Sequence, residues 1–223
     1  MTDGPPGEVP GGADRLPARG RRAVRPRHAA SLILWRQGPR GPEVLMGLRH
    51  AGHRFMPGVL VFPGGRVDRA DHRAPAEGEL RPATRAALER RATPSLARAL
   101  AIAAARELQE ETGLALGRVE GGRLRPTLGV LDYLCRAVTP ADRAIRFNAR
   151  FLVAPAEAAE GALAGSGELE GLGFVGLDAA APMAGITAKV LGEFGAWLEM
   201  TPAAREARRL ICFQGPDQPR AER

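Results

Sequence analysis

The segment that most constrains this chain is residues 106–114, which carries three glutamates and ends in a glycine and a leucine. Small and apolar side chains precede it at helical spacing. Gly113 is the residue type that commonly ends a helix in the left-handed conformation. We therefore predict the end of a helix here. On that helix Glu107, Glu110 and Glu111 stand at positions i, i+3 and i+4, so they share one face.

Three carboxylates on one helix face need an explanation, because like charges at this spacing destabilise a helix by roughly 0.2–0.5 kcal/mol per pair. A divalent cation reverses the sign of that interaction, since Mg²⁺ and Mn²⁺ bind oxygen ligands gathered on one side. The alternative is an acidic helix end that simply faces solvent. The helix alone leaves both interpretations open.

A second segment favours the metal site. The apolar residues 59–61 are followed by Phe62, Pro63, Gly64 and Gly65. An apolar run that stops at Pro-Gly-Gly is typical of a strand ending in a tight bend, where the backbone approaches another group closely. We predict that the glutamates face this diglycine bend.

Together the two segments resemble the signature of the Nudix hydrolases. Gly65 occupies the glycine position of that signature, and Asp71 stands six residues later, where the family usually has Glu. Residues 106–114 match every specified position of the second half. The spacer departs from the family, because residues 72–105 place 34 residues between the halves and the family has far fewer. An interrupted signature after a Phe-Pro-Gly-Gly strand end is most similar to the coenzyme A diphosphatase-type Nudix enzymes.

The resemblance implies an α/β fold, a Nudix-type α/β/α sandwich with a mixed β-sheet between helices. It also implies metal-dependent hydrolysis of the pyrophosphate bond in a nucleoside diphosphate linked to another moiety. Coenzyme A or acyl-CoA is the leading substrate, followed by nucleotide sugars, ADP-ribose and dinucleotides. The alternative is a non-catalytic Nudix-like nucleotide-binding or regulatory module. We would expect such a module to have lost helix carboxylates, and this chain keeps all three.

The resemblance also assigns roles to individual residues. The expected ligands of Mg²⁺ or Mn²⁺ are Glu107, Glu110, Glu111 and the backbone of Gly65. Glu107 and Arg106 are counted among the catalytic groups, and Arg106 is expected to hold a carboxylate in place, with Asp71 as its partner. Glu168, in a loop further along the chain, is the candidate for a general base or an additional metal ligand; a solvated loop glutamate is the alternative.

A basic loop lies between the predicted hairpin, residues 29–48, and the diglycine bend. Arg49 and Arg54 fall where the coenzyme A-related motif places arginines, and Gly64 is expected to lie against the substrate. Guanidinium groups suit bidentate contacts with phosphate. The interpretation as a phosphate-binding loop therefore stands beside that of a positively charged surface loop.

The composition of the chain limits the kinds of partner that it is expected to bind. The net charge is +7, with 32 Lys and Arg against 25 Asp and Glu. The arginines are spread along the chain and aromatic residues are few, so the composition argues against nucleic acid as a partner and favours a small phosphorylated substrate. No apolar run is long enough to span a membrane. Two cysteines without metal-binding spacing are consistent with a reducing compartment, and we expect a cytoplasmic protein.

The chain should form one domain, residues 27–213, between a disordered N-terminal tail, residues 1–26, and a loose C-terminal tail, residues 214–223. Residues 72–94 form an insertion within the signature, with a short helix over residues 82–92. A second helix should begin at Pro94, with Thr93 as its N-cap, and should end at Thr112. Residues 185–200 and 202–211 should also be helical. The apolar side of the first of these predicts either core packing or a homodimer surface.

Overall fold

A computed structural model describes residues 24–49, 58–178, 183–215 and 219–221. The predicted disordered tail therefore lies almost wholly outside the described residues, and so does Arg54. The strands are β1 (Arg27–Gly38), β2 (Gly41–Arg49), β3 (Leu60–Val61), β4 (Gly64–Arg66), β5 (Gly117–Glu120), β6 (Arg123–Pro126), β7 (Asp132–Val138), β8 (Phe147–Pro155), β9 (Leu169–Gly176), β10 (Ile211–Gln214) and β11 (Arg220–Ala221). The helices are α1 (Pro82–Glu89), α2 (Pro94–Thr112), α3 (Gly185–Leu198) and α4 (Pro202–Ala207).

Nine of these strands form one mixed sheet in the order β11-β10-β7-β8-β1-β2-β3, with β4 paired to β1 and β9 paired to β2. The pairs β1–β8 and β7–β10 are parallel and the others are antiparallel. Strands β5 and β6 make a separate hairpin. A mixed sheet with helices is the architecture that the sequence predicted.

Both faces of the sheet are covered, since successive buried side chains of the central strands point into apolar clusters on opposite faces. Leu32 and Leu34 of β1 pack in one cluster with the small side chains of α2. Ile33 faces the other way, into a second cluster that contains Phe194 and Trp197 of α3. The predicted α/β/α layering is thus confirmed. The apolar side of α3 is core packing within the single chain.

The bounds of α2 agree with the prediction at both ends. The hydroxyl of Thr93 accepts a hydrogen bond from the backbone N–H of Leu96 at 3.3 Å. Gly113 ends the helix in the left-handed conformation, with φ of 76°, and its N–H donates to the carbonyl of Gln109 at 2.9 Å. Cap chemistry that is local in sequence therefore sets both ends of the helix.

The diglycine bend sits where β1 and β2 part. Near the hairpin turn the two strands pair with each other. Toward its N-terminus β1 pairs instead with β4, with Ala30 opposite Gly65 and Ser31 opposite Gly64. The far end of β2 pairs with β3. The bend between β3 and β4 is consequently wedged between diverging strands, beneath α2.

The insertion and the C-terminal region differ in part from the prediction. Helix α1 ends at Glu89, three residues early, and is anchored by the Thr84 hydroxyl, which donates to the carbonyl of Leu131 at 2.9 Å. Helix α4 ends at Ala207, and Ile211–Gln214 forms a strand rather than more helix. Pairing with β7 protects that edge and buries Cys212 and Phe213, which outweighs local helix propensity.

The C-terminal tail that was predicted to be loose begins within β10 and includes β11, which pairs with β10. Among the described residues, no helix is both long and apolar enough to cross a membrane.

Candidate active site

The carboxylate of Glu107 rests directly on the backbone of Gly65. A Cβ atom placed on that glycine would stand 2.2 Å from Oε1 of Glu107 and 2.4 Å from its carboxyl carbon. No side chain fits in such a space, so the contact exists because residue 65 is glycine. This is the close backbone approach that the Pro-Gly-Gly pattern predicted.

Glu111, one turn later on α2, faces the same bend. Its Oε2 accepts a hydrogen bond from the backbone N–H of Gly64 at 2.9 Å, and the residue is only 6% exposed. Glu107 and Glu111 are therefore brought together over the two glycines. Gly64 was predicted to lie against the substrate, and its N–H already donates to the carboxylate of Glu111.

Arg106 joins this helix to the other end of the signature. Its Nε donates to Oδ1 of Asp71 at 3.0 Å, and its Nη2 donates to Oδ2 at 3.2 Å. Asp71 is 1% exposed and also accepts from the backbone N–H of Asp68 at 2.7 Å. The predicted pairing of Arg106 with Asp71 is confirmed, although aspartate is one methylene shorter than glutamate.

The same guanidinium holds two of the glutamates. Nη1 of Arg106 donates to Oε1 of Glu107 at 3.0 Å and to Oε2 of Glu110 at 2.8 Å. The side chain of Glu110 is 56% exposed and pairs with Arg106. Consequently two of the three predicted carboxylate ligands meet at the glycines. In the described part of the chain, no three His, Cys, Asp or Glu side chains are already gathered as a metal-ligand set.

The electrostatics of the pair favour a cation. The pKa of Glu111 is raised to about 8: burial is the largest cause and the charges of Glu107 and Glu168 add to it, whereas the hydrogen bond from Gly64 and the charge of Arg49 oppose it. Burial also raises the pKa of Glu107, although Arg106 opposes that shift. Glu111 is buried and Glu107 is partly buried, and two such carboxylates resist ionising together even though Arg106 pairs with Glu107. A cation bound between them would offset their repulsion. The residues present therefore fit Mg²⁺ or Mn²⁺.

Two further predicted residues border this pair. Glu168 is exposed in the loop before β9, and its charge raises the pKa values of both Glu107 and Glu111. Arg49, at the end of β2, acts on Glu111 in the opposite sense. The Nε atom of Arg49 is buried and has no hydrogen-bond partner among the described residues.

The sequence did not point to every residue that shapes the site. Ser31 of β1 packs beneath Gly64, since its Oγ would stand 2.4 Å from a Cβ atom on that glycine. The backbone N–H of Ser166 approaches the carbonyl of Glu111 at 3.4 Å. Neither contact leaves a local pattern, because each joins segments that are far apart in the chain.

Similar folds occur among solved Nudix hydrolases. A NUDIX hydrolase from Alicyclobacillus acidocaldarius is 25% identical, with a TM-score of 0.57, over 76% of this chain and 90% of that chain. A MutT NUDIX hydrolase from Burkholderia pseudomallei is 23% identical, with a TM-score of 0.48, over 76% and 98%. The NUDIX domain of NrtR from Shewanella oneidensis, in complex with ADP-ribose, is 16% identical, with a TM-score of 0.49, over 78% and 90%.

No family model matches the sequence, and no curated protein matches it. The chain nevertheless has the mixed α/β fold of the Nudix hydrolase from Alicyclobacillus acidocaldarius.

Proposed function

We propose that this chain is a metal-dependent hydrolase of the pyrophosphate bond in a nucleoside diphosphate linked to another moiety. The observation that carries the proposal is the pair of carboxylates on Gly64 and Gly65, Glu111, which is buried, and Glu107, which is partly buried. The fold shared with the Alicyclobacillus hydrolase supports it. A buried carboxylate whose ionisation is disfavoured, as at Glu111, is costly for a protein that does not use it.

The proposed ion is Mg²⁺ or Mn²⁺, held by Glu107 and Glu111. Glu110 and the backbone of Gly65 are proposed to complete the protein ligands, which requires Glu110 to leave Arg106. When bound, such an ion supplies a Lewis acid for the phosphate oxygens and lowers the pKa of a coordinated water.

The protein's own residues supply position and charge. Hydrolysis of a pyrophosphate requires a water aligned with phosphorus and neutralised oxygens, with little covalent chemistry. Asp71 fixes the guanidinium of Arg106, and Arg106 in turn fixes the carboxylate of Glu107. Glu168 is the proposed general base that accepts the proton of the attacking water.

Arg49 is proposed to bind a phosphate oxygen of the substrate. Its buried Nε–H lacks a partner among the described residues, and a phosphate oxygen would satisfy it. Arg54 is proposed for the same role from the sequence motif alone. Together with the Phe-Pro-Gly-Gly strand end, these arginines favour coenzyme A or acyl-CoA as the substrate, with nucleotide sugars, ADP-ribose and dinucleotides as the next candidates.

The test is a hydrolysis assay on coenzyme A, acyl-CoA, ADP-ribose, a nucleotide sugar and a dinucleotide, with and without Mg²⁺, with products identified by mass. We expect Mg²⁺-dependent cleavage between the two phosphorus atoms. Glu111→Gln should reduce turnover at least about 10²-fold, the scale of losing one preorganised electrostatic group. The control is Glu199→Gln, a change of an exposed glutamate at the end of α3. Substrate binding without turnover in the unaltered chain would refute the proposal and favour a non-catalytic module.

A further inference from the structure

The eight residues 161–168, which we call the strap, cross the C-terminal end of α2. Both ends of the strap are fixed. Glu160 and Ala115 exchange two backbone hydrogen bonds, of 2.9 and 2.8 Å, and Leu169 is buried in a small apolar cluster. All eight strap residues are exposed, and three of them are glycines. Contacts of the backbone, rather than buried side chains, therefore hold the strap in place.

Two of these contacts reach the last turn of α2. The N–H of Ala164 donates to the carbonyl of Thr112 at 2.8 Å, and the N–H of Ser166 approaches the carbonyl of Glu111 at 3.4 Å. Such carbonyls at a helix end have no partner within the helix. The strap thereby satisfies them, and it is tied to the residue whose carboxylate faces the diglycine bend.

The tightest contact joins two glycines. Gly161 has a φ of 113°, and a Cβ atom on it would stand 2.7 Å from the carbonyl oxygen of Gly113. A Cβ atom on Gly113 would in turn stand 2.8 Å from the carbonyl oxygen of Ala162. The obstacles are backbone atoms, which cannot rotate away as the end of a side chain can. A side chain at position 161 must therefore lift the strap from α2.

We propose that the contact between Gly113 and Gly161 positions the general base that we assign to the strap, because it holds the strap so that Glu168 stands beside Glu107 and Glu111. Gly161 and Ser166 are then positioning residues, since neither would touch the substrate. Ser166 lies two residues before Glu168, and its Oγ accepts from the N–H of Glu168 at 3.5 Å. We call the contact of the strap with α2 at Gly113 and Gly161 the seat. The seat is a feature of the fold, whereas its effect on catalysis rests on the proposed hydrolase function.

The charge of Glu168 acts on both helix carboxylates, which is consistent with the seat. The proposal makes the strap, and not only the helix, part of the site. It also explains why a segment without buried side chains should have a defined path.

Hydrogen exchange tests the seat without reference to activity. Gly161→Ala should increase the exchange rates of the amides of Ala164 and Ser166 at least about 10-fold, because each ~1.4 kcal/mol lost from the closed state is a factor of ten. The matched control is Gly41→Ala, because Gly41 has a φ of 132° but has no atom within 4 Å of its would-be Cβ. Unchanged strap exchange in Gly161→Ala would overturn the proposal.

A double-mutant cycle tests the catalytic consequence. Glu168→Gln should reduce kcat about 10²-fold, the lower range for a general base. Gly161→Ala should reduce kcat at least about 10-fold with little change in KM, and the double variant should be no slower than Glu168→Gln, since the first change acts through the second residue. Multiplicative losses would show that Gly161 acts independently of Glu168 and would overturn the proposal. So would full activity in Glu168→Gln.

A second pair of variants covers the case in which Gly161→Ala does not fold. Ser166→Pro removes the N–H that approaches Glu111, whereas Ser166→Ala keeps it. The proline variant should release the strap and reduce kcat more strongly than Ser166→Ala, which loses only the hydroxyl that accepts from the N–H of Glu168. Equal kcat values in the two variants would contradict the proposal. If the unaltered chain cleaves no pyrophosphate with Mg²⁺, the proposed function fails. Hydrogen exchange then still decides whether the glycine contact seats the strap.

Discussion

Asp71 and Arg106 form a two-pronged ion pair, at 3.0 and 3.2 Å, across the 34 residues that separate them. The insertion between the two halves of the signature therefore does not prevent residues from both halves from pairing. Lengthening a loop adds little to its closure entropy, only about 0.6 kcal/mol for each doubling. Helix α1 within the insertion is also held by Thr84, whose hydroxyl donates to the carbonyl of Leu131, the residue before β7. A long spacer is thus compatible with a site assembled from both halves.

Breaking this ion pair should affect both stability and turnover. Asp71→Asn leaves Arg106 without its buried partner, and we expect a loss of about 2–4 kcal/mol in the free energy of unfolding, measured in urea. Turnover should fall as well, because Arg106 also holds Glu107. Glu79→Gln, which breaks an exposed pair with Arg98, is the control and should cost less than about 1 kcal/mol. Equal effects of the two changes would contradict the bracing role of Asp71.

Gly65→Ala should separate function from stability. Its Cβ atom would displace the carboxylate of Glu107, which is the end of a flexible side chain, so the cost to folding should stay below about 1 kcal/mol. Turnover should fall at least about 10²-fold, because the change moves Glu107, which we propose as a metal ligand. Gly173→Ala has open space around its Cβ position and should leave both quantities nearly unchanged. An active Gly65→Ala enzyme would show that the close approach of Glu107 is not needed.

The stability of the metal-free protein should depend on pH through Glu111. Its pKa is about 8 in the folded chain, whereas an unfolded glutamate titrates near about 4.3. The folded state thus binds this proton more tightly than the unfolded state does. The proton therefore makes its full contribution to the free energy of unfolding below the pKa of the unfolded glutamate. That stability is lost as the pH rises through about 8. We expect the melting temperature in EDTA to fall from pH 5 to pH 9.

Two comparisons assign that pH dependence to Glu111. Glu111→Gln carries no titrating proton and should show a shallower decline over the same pH range. Adding Mg²⁺ to the unaltered chain should raise the melting temperature most at the alkaline end, where the carboxylate is ionised and free to bind. An identical pH profile in Glu111→Gln would assign the dependence to other groups.

Arg49→Lys tests the proposed phosphate contact. Lysine keeps the positive charge but loses the planar donor fork and the Nε–H. We expect KM for the pyrophosphate substrate to rise about 10-fold, equivalent to about 1.4 kcal/mol of lost binding, with a smaller change in kcat. Arg125→Lys, on the β5–β6 hairpin, is the matched control. An unchanged KM in Arg49→Lys would remove Arg49 from the substrate site.

The sequence by itself determined the elements whose causes are local. Thr93, Pro94 and Gly113 are capping signals within a residue of the helix ends, so both bounds of α2 could be predicted. The glycines at 64 and 65 marked the place where a carboxylate approaches the backbone. The pairing of Asp71 with Arg106 followed from the resemblance of the two half-signatures.

Only the tertiary structure decided which partners each group chose. Glu110 shares the helix face of Glu107 and Glu111, yet it turns to Arg106, because that guanidinium is already anchored by Asp71. Residues 211–214 became strand β10 because the edge of β7 offered hydrogen bonds. The path of the strap depends on the close approach of Gly161 to Gly113. These pairings depend on contacts between residues that are distant in sequence, so local sequence patterns cannot predict them.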